Sequence, residues 1–521
     1  MKTIVIFYDN DSSYSKEKAF NGKSAIELSK NWAESLNLSC FTVKSATLTA
    51  LLCDMKEICT KENAETALFS FIDLPFLDKE ISQKIIDSHI TYKSEYTFAD
   101  GYPYGFTPEA LNAGTIGILA ELSKTTQKSL GQQPVSRDGI YNLIKTDINS
   151  FDVETVIADT DWRLLRLAFH CGKKDNFMQS KALFDAARTR DMKAGAEKFS
   201  EIASKNLNCL KTVPGFYNIQ IADSVSFDAV YLPYCKEYSE KYKASPIFAS
   251  SKTALPFMPF DKCCSLIDKI ADFSEDAVIS LSAWGEPLYH PDFIKIVEKI
   301  LSYPGLSVFF ETDGLNVTDE LCKSLADLSE KAAPRTHQWQ KIMIAVTLDA
   351  VTDETYQKLH KNNPEGSFQK AVKTVAMLNS ALAGCVYPQF VRMNDNENEL
   401  EAFYRYWNEK SNPSGGNLII QKYDDFAGLL PQCKPADLSP LERDPCWHLR
   451  RDLTILSNGE VPSCRACVLG GSPCGGPSAG NVFEQSLEEI WHKTDELLQN
   501  HIDKKYCQKC EKCDEWYTFN F

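Results

Sequence analysis

The chain has 521 residues, 43% apolar and 24% charged, with a formal net charge of −15. That length exceeds what one core absorbs, so about three domains are expected, and the composition is that of a globular chain, not a disordered one. The acidic balance argues against a nucleic-acid partner, which would want a basic face, and no run approaches the roughly eighteen apolar residues of a membrane span. The opening residues, Met1 to Phe7, read as a β-strand with a short apolar run and not as an export signal. The eighteen cysteines are therefore expected to be reduced thiols and metal ligands of a cytoplasmic protein.

Ile4 to Tyr8 reads as a buried strand and Ser24 to Leu36 as an amphipathic helix. A further strand, Ala67 to Ile72, runs into Asp73, Leu74 and Pro75. An acidic residue at a strand's carboxyl end faces the crevice where open α/β sheets bind ligands. The order of these pieces over residues 1–175 resembles the GT-A type of sugar-activating nucleotidyltransferase. In that likeness Asp73-Leu74-Pro75 matches the family's Asp-x-Pro turn, and Asp159 and Asp161 match a later acidic strand end. The likeness stops at the first loop, which in the family is glycine-rich so that bare backbone can approach phosphates. Here Asp9 to Lys18 has no glycine and three carboxylates, Asp9, Asp11 and Glu17. A degenerate scaffold is expected, with Asp73 and Asp159 as turn or cap residues. His170 and Cys171 read as core or cap residues at a helix end, and residues 176–211 as a charged helical connector.

Strands and helices alternate through residues 212–432. Candidate strands are Phe216–Ala222, Ala277–Ser282, Ser307–Glu311, Ile342–Leu348, Cys385–Val391 and Leu418–Gln421. Helical patterns at Cys264–Ala271, Phe293–Leu301, Thr318–Ala332, Asp353–Leu359 and Glu397–Asn408 lie between them. Such alternation predicts parallel strands with right-handed crossovers, a partial (β/α)6 TIM barrel whose ligands sit at the strand carboxyl ends. Four strand ends carry motifs that together resemble radical SAM proteins. Gly285, Glu286 and Pro287 resemble the Gly-Gly-Glu-Pro turn, and Thr312, Asp313 and Gly314 the Thr-Asn-Gly after strand three. Thr347 and Asp349 match the fourth strand end, and Arg392 to Asn394 the fifth.

In that family the first strand leads into Cys-x-x-x-Cys-x-x-Cys, which holds a 4Fe–4S cluster whose open iron binds S-adenosylmethionine. Aligning Ile219 to Ser224 with the family's approach strand puts Val225, Ala229 and Leu232 at the three cysteine positions, with Tyr231 and Pro233 keeping the usual context. None of the three can ligate iron, Cys235 and the pair Cys263 and Cys264 do not rebuild the motif, and Cys-x-x-x-Cys-x-x-Cys occurs nowhere in the chain. The resemblance therefore leaves Gly285, Glu286, Pro287, Thr347 and Asp349 as binding candidates for S-adenosylmethionine, without the cluster that would cleave it.

Residues 446–521, most of the expected domain 433–521, hold seven cysteines: Cys446, Cys464, Cys467, Cys474, Cys507, Cys510 and Cys513. Cys507-x-x-Cys510-x-x-Cys513 lets thiolates of one short loop converge on a metal, and Cys464-x-x-Cys467 closes a strand–turn–strand run through Gly459. Soft thiolates suit zinc or iron–sulfur clusters, and the spacing alone leaves both open. Cys446, Gly459, Cys464, the run from Gly480 to Trp491 and the closing cysteines resemble the SPASM extension of radical SAM enzymes. The resemblance implies one auxiliary 4Fe–4S cluster on Cys446, Cys464, Cys507 and Cys510, with Cys467 and Cys513 as alternates. The whole order resembles the spiro-SPASM proteins. That likeness implies a SPASM ending on a radical-SAM-like core and names no substrate; the replaced cysteines point to a non-catalytic or binding radical SAM/SPASM-family descendant with one auxiliary cluster and a small-molecule or peptide ligand. The alternative is an active enzyme modifying a peptide or sugar.

Overall fold

The computed structural model describes residues 2–188, 195–226, 228–232, 256–468 and 478–518. It forms two compact units, Met1–Thr212 and Val213–Phe521, a coarser division than the expected 1–175, 176–211, 212–432 and 433–521.

The first unit is a six-stranded sheet of β1 (Thr3–Tyr8), β2 (Cys40–Val43), β3 (Thr66–Phe71), β4 (Tyr96–Asp100), β5 (Glu109–Asn112) and β6 (Val153–Ile157). The order is β2-β1-β3-β5-β4-β6, with β5 antiparallel to both neighbours and the other pairs parallel. Ala25–Ser35 is helical as its pattern predicts, and Ser24 and Glu27 close a reciprocal capping box that satisfies otherwise orphaned N–H groups. Ile4, Ile6, Ala67 and Phe69 of the sheet pack on Leu51, Leu52 and Met55 of the helix Leu48–Glu62. The described helices of the expected connector 176–211 pack on this unit. Phe177 and Phe184 lie 6.4 and 5.4 Å from Phe20, and Phe199 lies 5.5 Å from Phe76, so the helices Lys174–Arg188 and Ala196–Ser204 belong to this unit. Aromatic burial has overridden the charged look of the segment.

The second unit contains β7 (Phe216–Ile219), β8 (Asp228–Ala229), β9 (Ala277–Ser280), β10 (Leu306–Thr312), β11 (Ile342–Thr347), β12 (His360–Lys361), β13 (Val386–Arg392), β14 (Ile419–Lys422), β15 (Asp452–Ile455), β16 (Glu460–Pro462) and β17 (Ser478–Asn481). Its main sheet is a curled, all-parallel half-barrel in the order β14-β13-β11-β10-β9-β7-β15. The six expected strands are there. The seventh, β15, comes from the cysteine-rich segment and lies parallel to β7 in the register Leu453 to Tyr217. The helix Ser367–Ala381 was not separately read from the sequence. Strand residues Ile279, Val308, Ile344 and Phe390 share one core with Ile300, Leu325 and Val375 of the helices and with Leu453, Ile490 and Trp491. Described apolar residues of the cysteine-rich segment therefore share the half-barrel's core.

Candidate functional site

Glycine is required at the first strand-end turn, because a Cβ on Gly285 would stand 1.8 Å from the Ala222 carbonyl. The next residue, Glu286, turns inward. It accepts the Thr312 hydroxyl at 3.1 Å and the Asp313 N–H at 3.0 Å, tying this turn to the end of β10. Burial and the neighbouring Asp313 hold its carboxyl well above the usual range. Pro287 opens a single helical turn that Glu286 caps. Asp349 is fully buried with a left-handed φ of 58°. Its Oδ1 accepts the Val391 N–H at 2.6 Å, and its Oδ2 takes the Tyr231 hydroxyl at 2.6 Å and lies 2.8 Å from His360 Nε2. Glu286 and Asp349 thus spend their oxygens on the protein itself, although Glu286, with Thr347, also lines a cavity at these strand ends.

That cavity, about 490 Å³ including its mouth, is walled by Val225, Leu232, Gly285, Glu286, Thr312 and Thr347. Ala229 is buried and pairs across β8–β12 with His360. Leu232 and Tyr231 pack against a cluster that includes Trp284, Leu359, Val391 and Phe426. The three aligned positions are therefore an apolar surface docked by a small antiparallel bridge. Pro233 and Cys235 lie outside the described residues.

Deeper in the half-barrel a cavity of about 700 Å³ is lined by Asn218, Ser282, Glu311, Gln389, Asp424 and Arg465. Arg465, between Cys464 and Cys467, reaches Asp424 Oδ2 at 3.2 Å and also borders a cavity of about 550 Å³ beside Cys464. Burial and Glu515 push Asp424 up to about 6 against the pull of Arg465. Lys422, at the end of β14, pairs with Asp514 at 2.8 Å and with Glu515, and Lys434 pairs with Asp514 at 2.7 Å. Lys422 and Asp424, Arg465, and Asp514 and Glu515 lie far apart along the chain, so only the fold brings this network together.

Among the cysteines, Cys464 and Cys467 have sulfurs 3.4 Å apart, a contact in which either can be the donor and which holds Cys464 up and Cys467 down. Cys446 and Cys510 are each pushed up to about 12 by burial, and Cys513 is raised by burial and by Cys446. Cys446, Cys464 and Cys510 feel one another's charge, with Arg443 and Lys509 as the nearby cations. Cys507 accepts the Cys510 N–H at 3.4 Å and is disulfide-bonded, so ligation by Cys507 requires reduction of that bond. Among the described residues no three His, Cys, Asp or Glu side chains close on a point suited to one metal ion, and Cys474 lies outside them. The donor chemistry nonetheless fits an iron–sulfur group. Buried thiols that cannot ionise together without repulsion become thiolates when a metal centre supplies the positive charge.

In the first unit Asp73, fully buried, takes bonds from Arg137 at 2.6 and 3.1 Å and from Asn10 at 3.0 Å. Its guanidinium partner lies 4.5 Å over Phe71 and is held further into its charged form by Asp73 and Tyr104, against burial. Asp159 is exposed, with its N–H on Glu197. Asp9 and Asp11 pair with Lys44 at 3.2 and 3.1 Å, so the first loop repels anions less than its sequence implies. His170 and Cys171 are buried in a loop before a helix, not at a helix end. Burial, then Arg137, lowers the imidazole, and burial with Asp73 raises the thiol.

Residues 233–406 match the radical SAM superfamily and residues 446–514 the SPASM iron–sulfur cluster-binding domain. An uncharacterised protein of Treponema pallidum (strain Nichols) is 38% identical over 387 residues, 73% of this chain and 98% of that protein. Among solved structures, Streptococcus suis SuiB bound to precursor peptide SuiA is 11% identical, covering 78% of this chain and 84% of that one, with a TM-score of 0.41. BtrN in complex with AdoMet and 2-DOIA is 14% identical over 58% and 94% of the two chains, with a TM-score of 0.34. A cytidylyltransferase from Leptospira borgpetersenii is 12% identical over 41% and 98%, with a TM-score of 0.33. With both family models matched in order and a relative aligned over nearly its whole length, the chain belongs to the radical SAM/SPASM family of iron–sulfur proteins.

Proposed function

We propose that this protein does not cleave S-adenosylmethionine, carries one 4Fe–4S cluster in its cysteine-rich segment, and binds a small molecule or peptide in its half-barrel. The observation that carries this reading is the docked segment ending in Leu232. Val225, Ala229 and Leu232 offer no iron ligand, Ala229 is fixed by the bridge to His360, and Tyr231 is hydrogen-bonded to Asp349. The buried thiols Cys446, Cys464 and Cys510 support the single cluster, which when bound would supply a thiolate-held redox centre. The polar lining of the larger cavity supports a ligand with hydrogen-bonding groups. The first unit reads as a GT-A-like scaffold whose acidic turn is closed by Arg137. No helix of the described residues is long and apolar enough to cross a membrane. A cytoplasmic location, where the Cys507 disulfide would be reduced, goes with the thiolate ligation read here.

Anaerobic reconstitution tests both halves of the proposal. About four irons and as many sulfides per chain are expected, and no 5′-deoxyadenosine from dithionite and S-adenosylmethionine above a no-protein control. Stoichiometric zinc without iron would remove the cluster. Release of 5′-deoxyadenosine with about eight irons would make the protein an active enzyme on a peptide or sugar.

A further inference from the structure

His501, in the helix Asp495–Ile502, stands between the two ends of the cysteine-rich segment and is 2% exposed. Its Nδ1 accepts the backbone N–H of Cys446 at 3.4 Å. A ring nitrogen that accepts a hydrogen bond carries no proton, so the ring proton sits on Nε2. Nε2 lies 3.3 Å from Cys510 Sγ, which is therefore the acceptor of an N–H···S bond. The ring meets Tyr506 edge-on at 5.0 Å, and the Arg443 guanidinium lies 4.7 Å over the same tyrosine. Three contacts on three sides thus set the plane of the imidazole, and one of them fixes its tautomer.

We infer that His501 is a positioning residue that sets the reduction potential of the C-terminal cluster by donating Nε2–H to the Cys510 sulfur. The inference rests on the proposed ligation by Cys446 and Cys510. Reduction adds negative charge that is shared onto the ligand sulfurs, and a donor aimed at one of them stabilises the reduced form more than the oxidised one. The same ring holds the Cys446 backbone, so it also fixes where the two ligands stand relative to each other.

The test uses the full chain reconstituted anaerobically, as wild type, His501→Leu and His501→Phe, with iron content and a spectroelectrochemical midpoint as readouts. Phenylalanine keeps an aromatic ring against Tyr506 and, at the cost of a slightly larger ring, removes both nitrogen atoms. Both variants are expected to retain iron and to show a midpoint lower by at least a factor of ten in the reduction equilibrium, about 59 mV for a one-electron couple. A loaded variant with the wild-type midpoint overturns the inference. Loss of iron from both variants also overturns it, by making His501 a purely structural residue. If wild type itself takes up no iron, the cluster reading fails first and this one falls with it.

Discussion

The Asp73 carboxylate occupies the position where the nucleotidyltransferase likeness wants an acidic group free to face a ligand, yet it is fully buried under Arg137. The guanidinium supplies two parallel donors and a permanent positive charge, which is the electrostatic role a bound cation would otherwise fill. A Cβ on Gly172 would meet Arg137 Nη2 at 2.6 Å and Asp73 Oδ2 at 2.9 Å, so the backbone closes over the pair. Removing one partner of such a pair strands the other charge. Arg137→Met is expected to destabilise the first unit by about 3–5 kcal/mol in urea unfolding followed by Trp32 fluorescence. A loss below about 1 kcal/mol, the range of an exposed pair, would show that the crevice is open to water. Asp73 was legible in the sequence because it ends an apolar strand. Arg137 was not, because it lies sixty-four positions away and only the fold brings it to Asp73. The same holds in the cysteine-rich segment. The thiols announce themselves by spacing, whereas His501 and Arg465 gain meaning only from what they touch.

At the scale of elements, hydrophobic patterning predicted all six strands of the half-barrel and most of its helices, since strand–helix alternation leaves a strong periodic signal. It did not predict that β15 joins the same sheet, because a four-residue strand carries no record of its partner. The consequence is physical. Leu453, Ile455, Val461, Ile490 and Trp491 are buried in the barrel's core, and Lys269 of the helix Phe260–Ser274 donates to the carbonyls of Val482 and Gln485 at 2.6 and 3.1 Å. Truncating one buried tryptophan costs about 3–5 kcal/mol, so this stretch is anchored whether or not a cluster is present. The parts that depend on the thiols are the flanks, residues 433–446 and 503–518. Limited proteolysis of a Cys446→Ser, Cys510→Ser variant should therefore cut in those flanks while residues 452–468 and 478–491 stay protected. Early release of everything after Pro431 as one piece would show that β15 is held by the cluster and not by the core.

Over the whole molecule, each unit fills the position where its resemblance expects a ligand-facing group with contacts of its own, and by different means. In the first unit an arginine pairs with the buried carboxylate. In the second, the proposed loss of the S-adenosylmethionine-cleaving cluster would involve more than three missing sulfurs. Ala229 is paired with His360, the Val230 N–H donates to the Leu359 carbonyl at 3.0 Å, and Tyr231 is anchored on Asp349, whose remaining oxygen holds Val391 of β13. A cluster loop must stand away from the barrel rim to surround four irons, whereas here the corresponding segment is pulled onto it. Burying its apolar side chains favours the docked state, and the Tyr231–Asp349 hydrogen bond adds about 0.5–1.5 kcal/mol. Restoring the sulfurs alone is therefore not enough. The variant Val225→Cys, Ala229→Cys, Leu232→Cys, reconstituted beside wild type, is expected to keep the wild-type iron content and to release no 5′-deoxyadenosine. Adding Tyr231→Phe, which removes the anchoring hydroxyl, should raise iron uptake above that of the triple variant. A triple variant that gains a second cluster's worth of iron and cleaves S-adenosylmethionine would show that the three cysteines were all that separated this protein from an enzyme, and that the docking of the segment has no energetic consequence.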